Sequence, residues 1–488
     1  MIVLGNRIGG LRLQLLFADQ LGPHFDLGGE ILLPEVLSQF SKRRYHRQKA
    51  HLILYAIRSR AKDPGVSLES IDSYRSLLGD SRLTVSIAPT SRPMRALSAT
   101  LGLTQLPSKG FCSSESQWAE FRSRKSLRLE SFYREQRQRL NLLMDNGNPV
   151  GGEWNFDHDN RKPPPKNGLG LEHFQVFEDA LDAEVRATLD ELESAGKAKF
   201  IGLDGPRKFA GSRAEALAAL EHFVEHQLPY FGPYEDAIFD GEWVLAHSML
   251  SAPMNLGLLD PMEVALRAER AFKEGLAPIQ SVEGFIRQVI GWRDYVWHLY
   301  WEFGEQYLEE NFLDAHTQLP SSWLTLEPKN IEARCVSKTI ENTRDNAWAH
   351  HIQRLMVLGN VALQRGFNPK AMNEWLVDAF VDGTPWVMPA NSIGMSLFAD
   401  GGRMSTKPYA AGGAYVNRMS NYCGGCRFDP KIRVGDNACP ITAGYWFFLD
   451  KNKGKLAGNQ RMWQAYSGLR RLSDIDEVVS QESKRSSL

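Results

Sequence analysis

The sequence predicts an α/β domain of doubly wound, Rossmann-like type followed by a larger all-α domain. Three observations predict it. Strand-like and helix-like segments alternate over roughly the first 140 residues, a proline run interrupts the chain at Pro163-Pro-Pro165, and beyond about Glu172 the strand signals stop. A chain of 488 residues has room for two or three domains with a large core.

In chain order, Arg12 to Ala18 reads as a buried strand. Asp19-Gln-Leu-Gly22 closes it with a polar turn, where a parallel-sheet protein presents ligand-binding groups. Ile31 to Glu35 and Leu83 to Ile87 are further strands, with a helical pattern from Arg47 to Lys62 between them. No glycine-rich phosphate fingerprint follows the first strand, which argues against nicotinamide binding. Trp118 to Met144 reads as one helix, with Arg122, Arg124, Lys125, Arg128, Arg134, Arg137 and Arg139 among apolar residues: a solvated face or a phosphate-tracking surface. Arg161-Lys-Pro-Pro-Pro-Lys166 suits neither helix nor central strand and marks a linker. The expected division is an α/β domain over 11–140, a linker over 141–200 and a helical domain over 201–488. A helical domain of that size implies a ligand or cofactor in its core.

The net charge of −1 excludes a strongly basic nucleic-acid protein, so contact with DNA requires a local patch. Five cysteines do not make a secreted disulfide framework. No signal-peptide pattern and no long apolar run is present, so a cytoplasmic, membrane-free protein is expected.

Cys423 and Cys426 stand three apart, Cys439-Pro440 follows thirteen residues later, and Cys335 lies far upstream. Four thiolates complete a closed metal site. Zinc ribbons supply theirs as two close pairs, whereas iron-sulfur clusters accept a remote ligand and often carry a terminal Cys-Pro. A 4Fe-4S cluster therefore leads, with zinc and ordinary buried thiols as alternatives.

Four further blocks carry a resemblance. They are His247 to Leu259, Glu283 to Tyr295, Ala349 to Met356, and Thr406 to Ala411 running into Asn417-Arg-Met-Ser420. With the cysteine spacing, they resemble the photolyase/cryptochrome flavoproteins, specifically the bacterial iron-sulfur branch. The resemblance implies a helical FAD-binding domain with a 4Fe-4S cluster held by Cys335, Cys423, Cys426 and Cys439, behind an N-terminal antenna domain. It implies FAD contacts at Tyr234, His247, Ser248, Leu250, Ser251, Glu283, Arg287, Trp292, Arg293 and Asp382. Ser248 and Ser251, at a helix start, also suit a pyrophosphate on chemical grounds. Met388 stands where relatives often carry Asn or Glu opposite the flavin N5, and Thr384 where they carry a second carboxylate.

His350-His351 is the expected catalytic pair. Returning a hydroxyl between the two pyrimidines of a (6-4) photoproduct needs a proton donor at the lesion. The resemblance gives that role to His351 and makes Tyr409 its hydrogen-bond partner. It makes Trp375 the first electron donor, while Leu376 and Glu327 replace two aromatic steps found in relatives; Trp348, Trp386 or Tyr415 are candidate substitutes. Asp19 and Gln20, with His46 and Lys49, resemble an antenna site for 6,7-dimethyl-8-ribityllumazine, although Gln39 stands where an acid is expected. The expected activity is light-driven (6-4) photolyase repair of UV-damaged DNA by a monomer, with a signalling cryptochrome as the alternative.

Overall fold

The computed structural model describes residues 13–486, so Arg12 and the expected domain start at residue 11 lie outside them. Strands β1 (Leu13–Leu15), β2 (Ile31–Val36), β3 (Val66–Ile71), β4 (Leu83–Ile87) and β5 (Thr104–Leu106) form one parallel sheet in the order β3-β2-β1-β4-β5. Every residue of β2 is buried, as expected of a parallel strand covered on both faces. β1 is shorter than the apolar run suggests: Leu16 still donates to the Leu32 carbonyl, but the turn at Ala18–Asp19 follows directly. β3 and β5 gave no sequence signal. The Val-Ser-Leu-Glu-Ser-Ile of β3 is an exposed edge with too few apolar residues to register.

Helix α1 (Arg47–Arg60) covers one face of the sheet and α2 (Arg92–Thr100) follows β4. The predicted helix over 118–144 is two, α3 (Glu115–Arg124) and α4 (Leu129–Leu140). Ser114 and Gln117 cap the first reciprocally, and Lys125 leaves it in an extended conformation, which breaks the run. Residues 141–200 are not all connection. A helix over Ala180–Ser194, begun by an Asp179/Asp182 capping box, packs Leu181, Val185, Leu189 and Leu192 against Phe40, Leu54 and Tyr55 of the first lobe.

From Arg213 onward the chain is helical, with the helix Ile279–Ile286 continuing through a π-helical turn Arg287–Arg293 into Asp294–Phe303. A second π-helical turn, Gln353–Gly359, and a third, Ala390–Ser396, lie in the same lobe. Such wide turns are uncommon and concentrate at functional positions. One hydrophobic core joins the lobes: Leu16, Leu21 and Ile87 of the first lobe pack with Phe223, Leu250, Leu256, Ile286 and Trp348. Among the described residues, no helix is long and apolar enough to cross a membrane.

Candidate active site and cysteine centre

Three polar groups meet in the helical lobe. In the first, the Ser251 hydroxyl donates to Asp382 at 2.8 Å, and the Arg354 guanidinium pairs with the same carboxylate at 2.8 Å. Asn255 donates to the Asp382 backbone carbonyl and accepts from Arg293 at 2.6 Å. Arg293 is half-buried, and desolvation of its guanidinium lowers its pKa to about 10, so it stays charged at neutral pH. Ser248 accepts from the Leu250 N–H, and between them Met249 has φ +57°, a left-handed conformation that a methionine adopts only under constraint.

The second group is histidine-rich. The rings of His247 and His350 stack at 4.5 Å, and His351 lies 5.8 Å from His247. The His350 Nδ1 accepts from the Ile352 N–H at 3.3 Å, so its proton sits on Nε2. Burial and the neighbouring His247 push the His350 pKa well down, and the ring is neutral. His351 is different. Its side chain is 54% exposed, and its Nε2 faces the Asp236 carboxylate at 3.4 Å. Tyr409, the expected partner, is exposed and shares no hydrogen bond with it among the described residues. Asp236 takes that place because the end of the helix Leu228–Tyr234 carries it there.

The third group surrounds Glu283, which is fully buried and accepts from the Tyr133 hydroxyl at 2.8 Å and the Phe156 N–H at 3.1 Å. Burial raises its pKa. Burial also works against the Arg287 cation, but Glu283, Asp157 and Glu235 outweigh it and raise the Arg287 pKa. Glu235 has its pKa raised to about 8, by burial first. Tyr234 and Trp292, both half-buried, lie on the margins of this region.

These groups connect. Arg354 joins Asp382 to the Ala349 carbonyl beside the histidines, and the Glu235 carbonyl faces His247 Nε2 at 3.1 Å. Several buried polar atoms around them have no partner among the described residues: Glu235 Oε2, His350 Nε2, Arg293 Nε and Thr384 Oγ1. Leaving such atoms unmatched costs about 1–3 kcal/mol each, so their concentration here suits a large polar ligand. Sequence reasoning missed Glu235, Asp236, Asn255 and Arg354. Asp236 and Glu235 adjoin the flagged Tyr234, and Arg354 stands within the quoted block Ala349 to Met356.

The four cysteines Cys335, Cys423, Cys426 and Cys439 line one cavity with Tyr422, Phe428 and Val416. Burial, then the proximity of the other three, pushes the Cys335 thiol well up. A Cβ at Gly413 would lie 2.9 Å from the Cys439 sulfur, so only glycine leaves room there.

A curated relative, the (6-4) photolyase of Agrobacterium fabrum (strain C58), is 38% identical over 95% of this chain and 96% of its own length. The chain belongs to the photolyase/cryptochrome family. The family model described as Deoxyribodipyrimidine photo-lyase-related protein matches residues 83–202. A solved bacterial class III photolyase from Agrobacterium tumefaciens shares the fold with a TM-score of 0.56, at 14% identity over 96% of this chain and 100% of its own. The cryptochrome of Synechocystis sp. PCC6803 does so at 0.57, with 11% identity over 97% and 98%.

Set in this photolyase fold, other expected residues take definite places. Trp375 is buried, donates to the Trp323 carbonyl at 2.9 Å, and has its ring 5.4 Å from the Trp323 ring. Trp348 instead packs on Trp243 and His247, and Trp386 on Phe111 and Arg293, whereas the Trp375 ring meets Trp323 and Phe380. Of the four antenna candidates, Asp19 and Gln20 fasten the first lobe to itself, and His46 and Lys49 join the two lobes. Asp19 accepts from both the N–H and the hydroxyl of Thr90, Gln20 donates to the Ile87 carbonyl, and His46 Nε2 faces the Arg344 carbonyl at 3.0 Å. Lys49 reaches across the lobes to the Val377 and Gly383 carbonyls at 2.5 Å. The basic stretch is largely neutralised: Arg122 pairs with Glu302, Arg124 with Glu135, Arg134 with Glu130, and Arg137 is buried against backbone carbonyls.

Proposed function

We propose that this chain is a (6-4) photolyase that uses light to restore (6-4) pyrimidine photoproducts in DNA. The observation that carries the reading is near-full-length similarity to a protein of that name, with His350 and His351 at a helix start and His351 facing the Asp236 carboxylate. FAD, when bound, supplies the photoexcited electron. Ser248, Ser251, Asn255, Arg293, Arg354 and Asp382 would hold it, with Glu283 and Arg287 behind. Asp382 is pre-oriented by Ser251 and Arg354, and Arg293 is fixed by Asn255, so these groups need no rearrangement to receive a ligand.

The histidines divide the proton work. His350 is buried, neutral and fixed as an Nε2–H donor, suited to hold a polar group in place. His351 is exposed, so a flipped-out lesion can reach it, and Asp236 orients its ring. Its role is to give a proton to the hydroxyl that migrates back.

The cysteine centre is read as a 4Fe-4S site. The four cysteines converge on one cavity, and a remote Cys335 with a terminal Cys439-Pro440 favours the cluster over zinc. A lumazine antenna would need residues other than Asp19, Gln20, His46 and Lys49, whose polar groups already serve other partners. DNA contact falls to exposed cations such as Lys125, Arg128, Lys162 and Lys166.

The test is His351→Ala. The variant should bind FAD and photoreduce normally while repair falls by about 10²–10⁴-fold, the worth of a positioned proton donor. Repair at the wild-type rate under saturating blue light would remove His351 from the reaction.

A further inference from the structure

We propose that Gln353 and Tyr422 form a positioning bridge through which the cysteine lobe fixes the turn carrying His350 and His351. The proposal rests on the repair reading above and gives the cysteine centre a task within it.

The turn at Ala349–Gln353 begins a helix by reciprocal capping. The His350 ring accepts from the Ile352 N–H, and the Gln353 side-chain carbonyl accepts from the His350 N–H at 3.2 Å. That exchange would be enough to start the helix. Gln353 does more: its amide Nε2 donates to the Tyr422 hydroxyl at 2.9 Å, a residue 69 positions away. All three side chains are buried, and Tyr422 stands in the core with Cys335, Val336 and Ile340. It also opens the short turn Tyr422–Gly425 that presents Cys423. A buried phenol is costly to leave unpaired, so the Gln353 amide and the Tyr422 hydroxyl fix each other.

The consequence is geometric. Whatever holds Cys423 and Cys426 holds Tyr422, Tyr422 holds the Gln353 amide, and Gln353 holds the His350 backbone from which His351 projects. If the cysteine turn loosens, the histidine turn loses one of its two anchors, and His351 loses its register against Asp236.

The experiment compares Gln353→Met, Tyr422→Phe, the double variant and Gln353→Glu in the cofactor-loaded protein. Glutamate can still accept from His350 N–H and can accept from the Tyr422 hydroxyl, so it should restore most of the rate. For each of the first two, kcat for repair should fall about tenfold with KM for lesion DNA, FAD content and iron content unchanged, within the loss that misplacing a reacting group produces. The double variant should be no worse than either single one, because both break the same bridge. Single variants within about twofold of wild type, or losses that multiply in the double variant, would overturn the bridge. Amide hydrogen exchange separates this from the repair reading. Faster exchange at His350 to Gln353 in Tyr422→Phe upholds the bridge even if the wild type repairs nothing, and unchanged exchange refutes it.

Discussion

The carboxyl ends of the parallel strands and the core of the helical lobe both gather polar and charged side chains, yet they use them in opposite ways. At the strand ends Asp19 is matched by Thr90, Gln20 by the Ile87 carbonyl, and Lys49 by two carbonyls of the other lobe. In the helical core Glu235 Oε2, His350 Nε2 and Arg293 Nε have no partner among the described residues. The same residue types are fully partnered in one place and left with open valences in the other. Residue identity does not distinguish the two; the supply of partners does.

The largest expected effect belongs to the cysteine centre. Cys335→Ala should lose metal and most soluble protein, because one ligand ties the helix Arg334–Asn346 to the C-terminal segment and metal binding is coupled to folding. Anaerobic analysis for iron, acid-labile sulfide and zinc checks this. Zinc without sulfide would contradict the cluster reading.

A pair of substitutions then sharpens the contrast between the regions. Asp382→Asn should weaken FAD retention by about tenfold or more, roughly 1.4 kcal/mol, since it disrupts the ion pair with Arg354. Asp19→Asn should lower the melting temperature and leave FAD content as it is. Flavin absorbance after gel filtration and thermal melts of both variants separate the outcomes. FAD loss in Asp19→Asn would return the strand end to the list of ligand sites.

The legibility of the two regions follows the same line. β2, α1 and β4 were readable because buried parallel strands and amphipathic helices have strong periodicity, whereas β3 is an exposed edge and hides as a loop. The convergence of Cys423, Cys426 and Cys439 and the closeness of His350 and His351 were legible because short spacings in sequence survive folding. Asp236, Glu235 and Arg354 were not, since each is an ordinary charged residue until the fold turns it inward. Arg122, Arg124 and Arg134 misled for the converse reason: their acidic partners lie on the same two helices or, for Glu302, far along the chain.

A smaller effect concerns pH. Burial raises the Glu235 pKa from 4.5 to about 8. The folded state therefore keeps a proton that the unfolded state has lost, and stability falls as pH rises through that interval. Glu235→Gln removes the penalty. Melting temperatures of the flavin-free proteins at about pH 5.5 and about pH 8.5 should show the variant gaining on the wild type at the higher pH; a constant gap would mean that Glu235 titrates normally.

The smallest effect is expected on the basic helices. Arg122→Ala with Arg124→Ala and Arg134→Ala should change the slope of log K against log salt for duplex DNA by less than about one unit, while Lys162→Ala with Lys166→Ala should flatten it by about one to two. The reverse order would place the phosphate contacts on the helices.

The central claim is tested most directly by illuminating the purified wild-type protein, loaded with reduced FAD, on an oligonucleotide carrying a single (6-4) photoproduct, and following the lesion chromatographically. The account predicts blue-light-dependent conversion to the two intact pyrimidines, with no conversion in the dark. A protein that binds and photoreduces FAD yet leaves the (6-4) lesion untouched would contradict it and favour a signalling role.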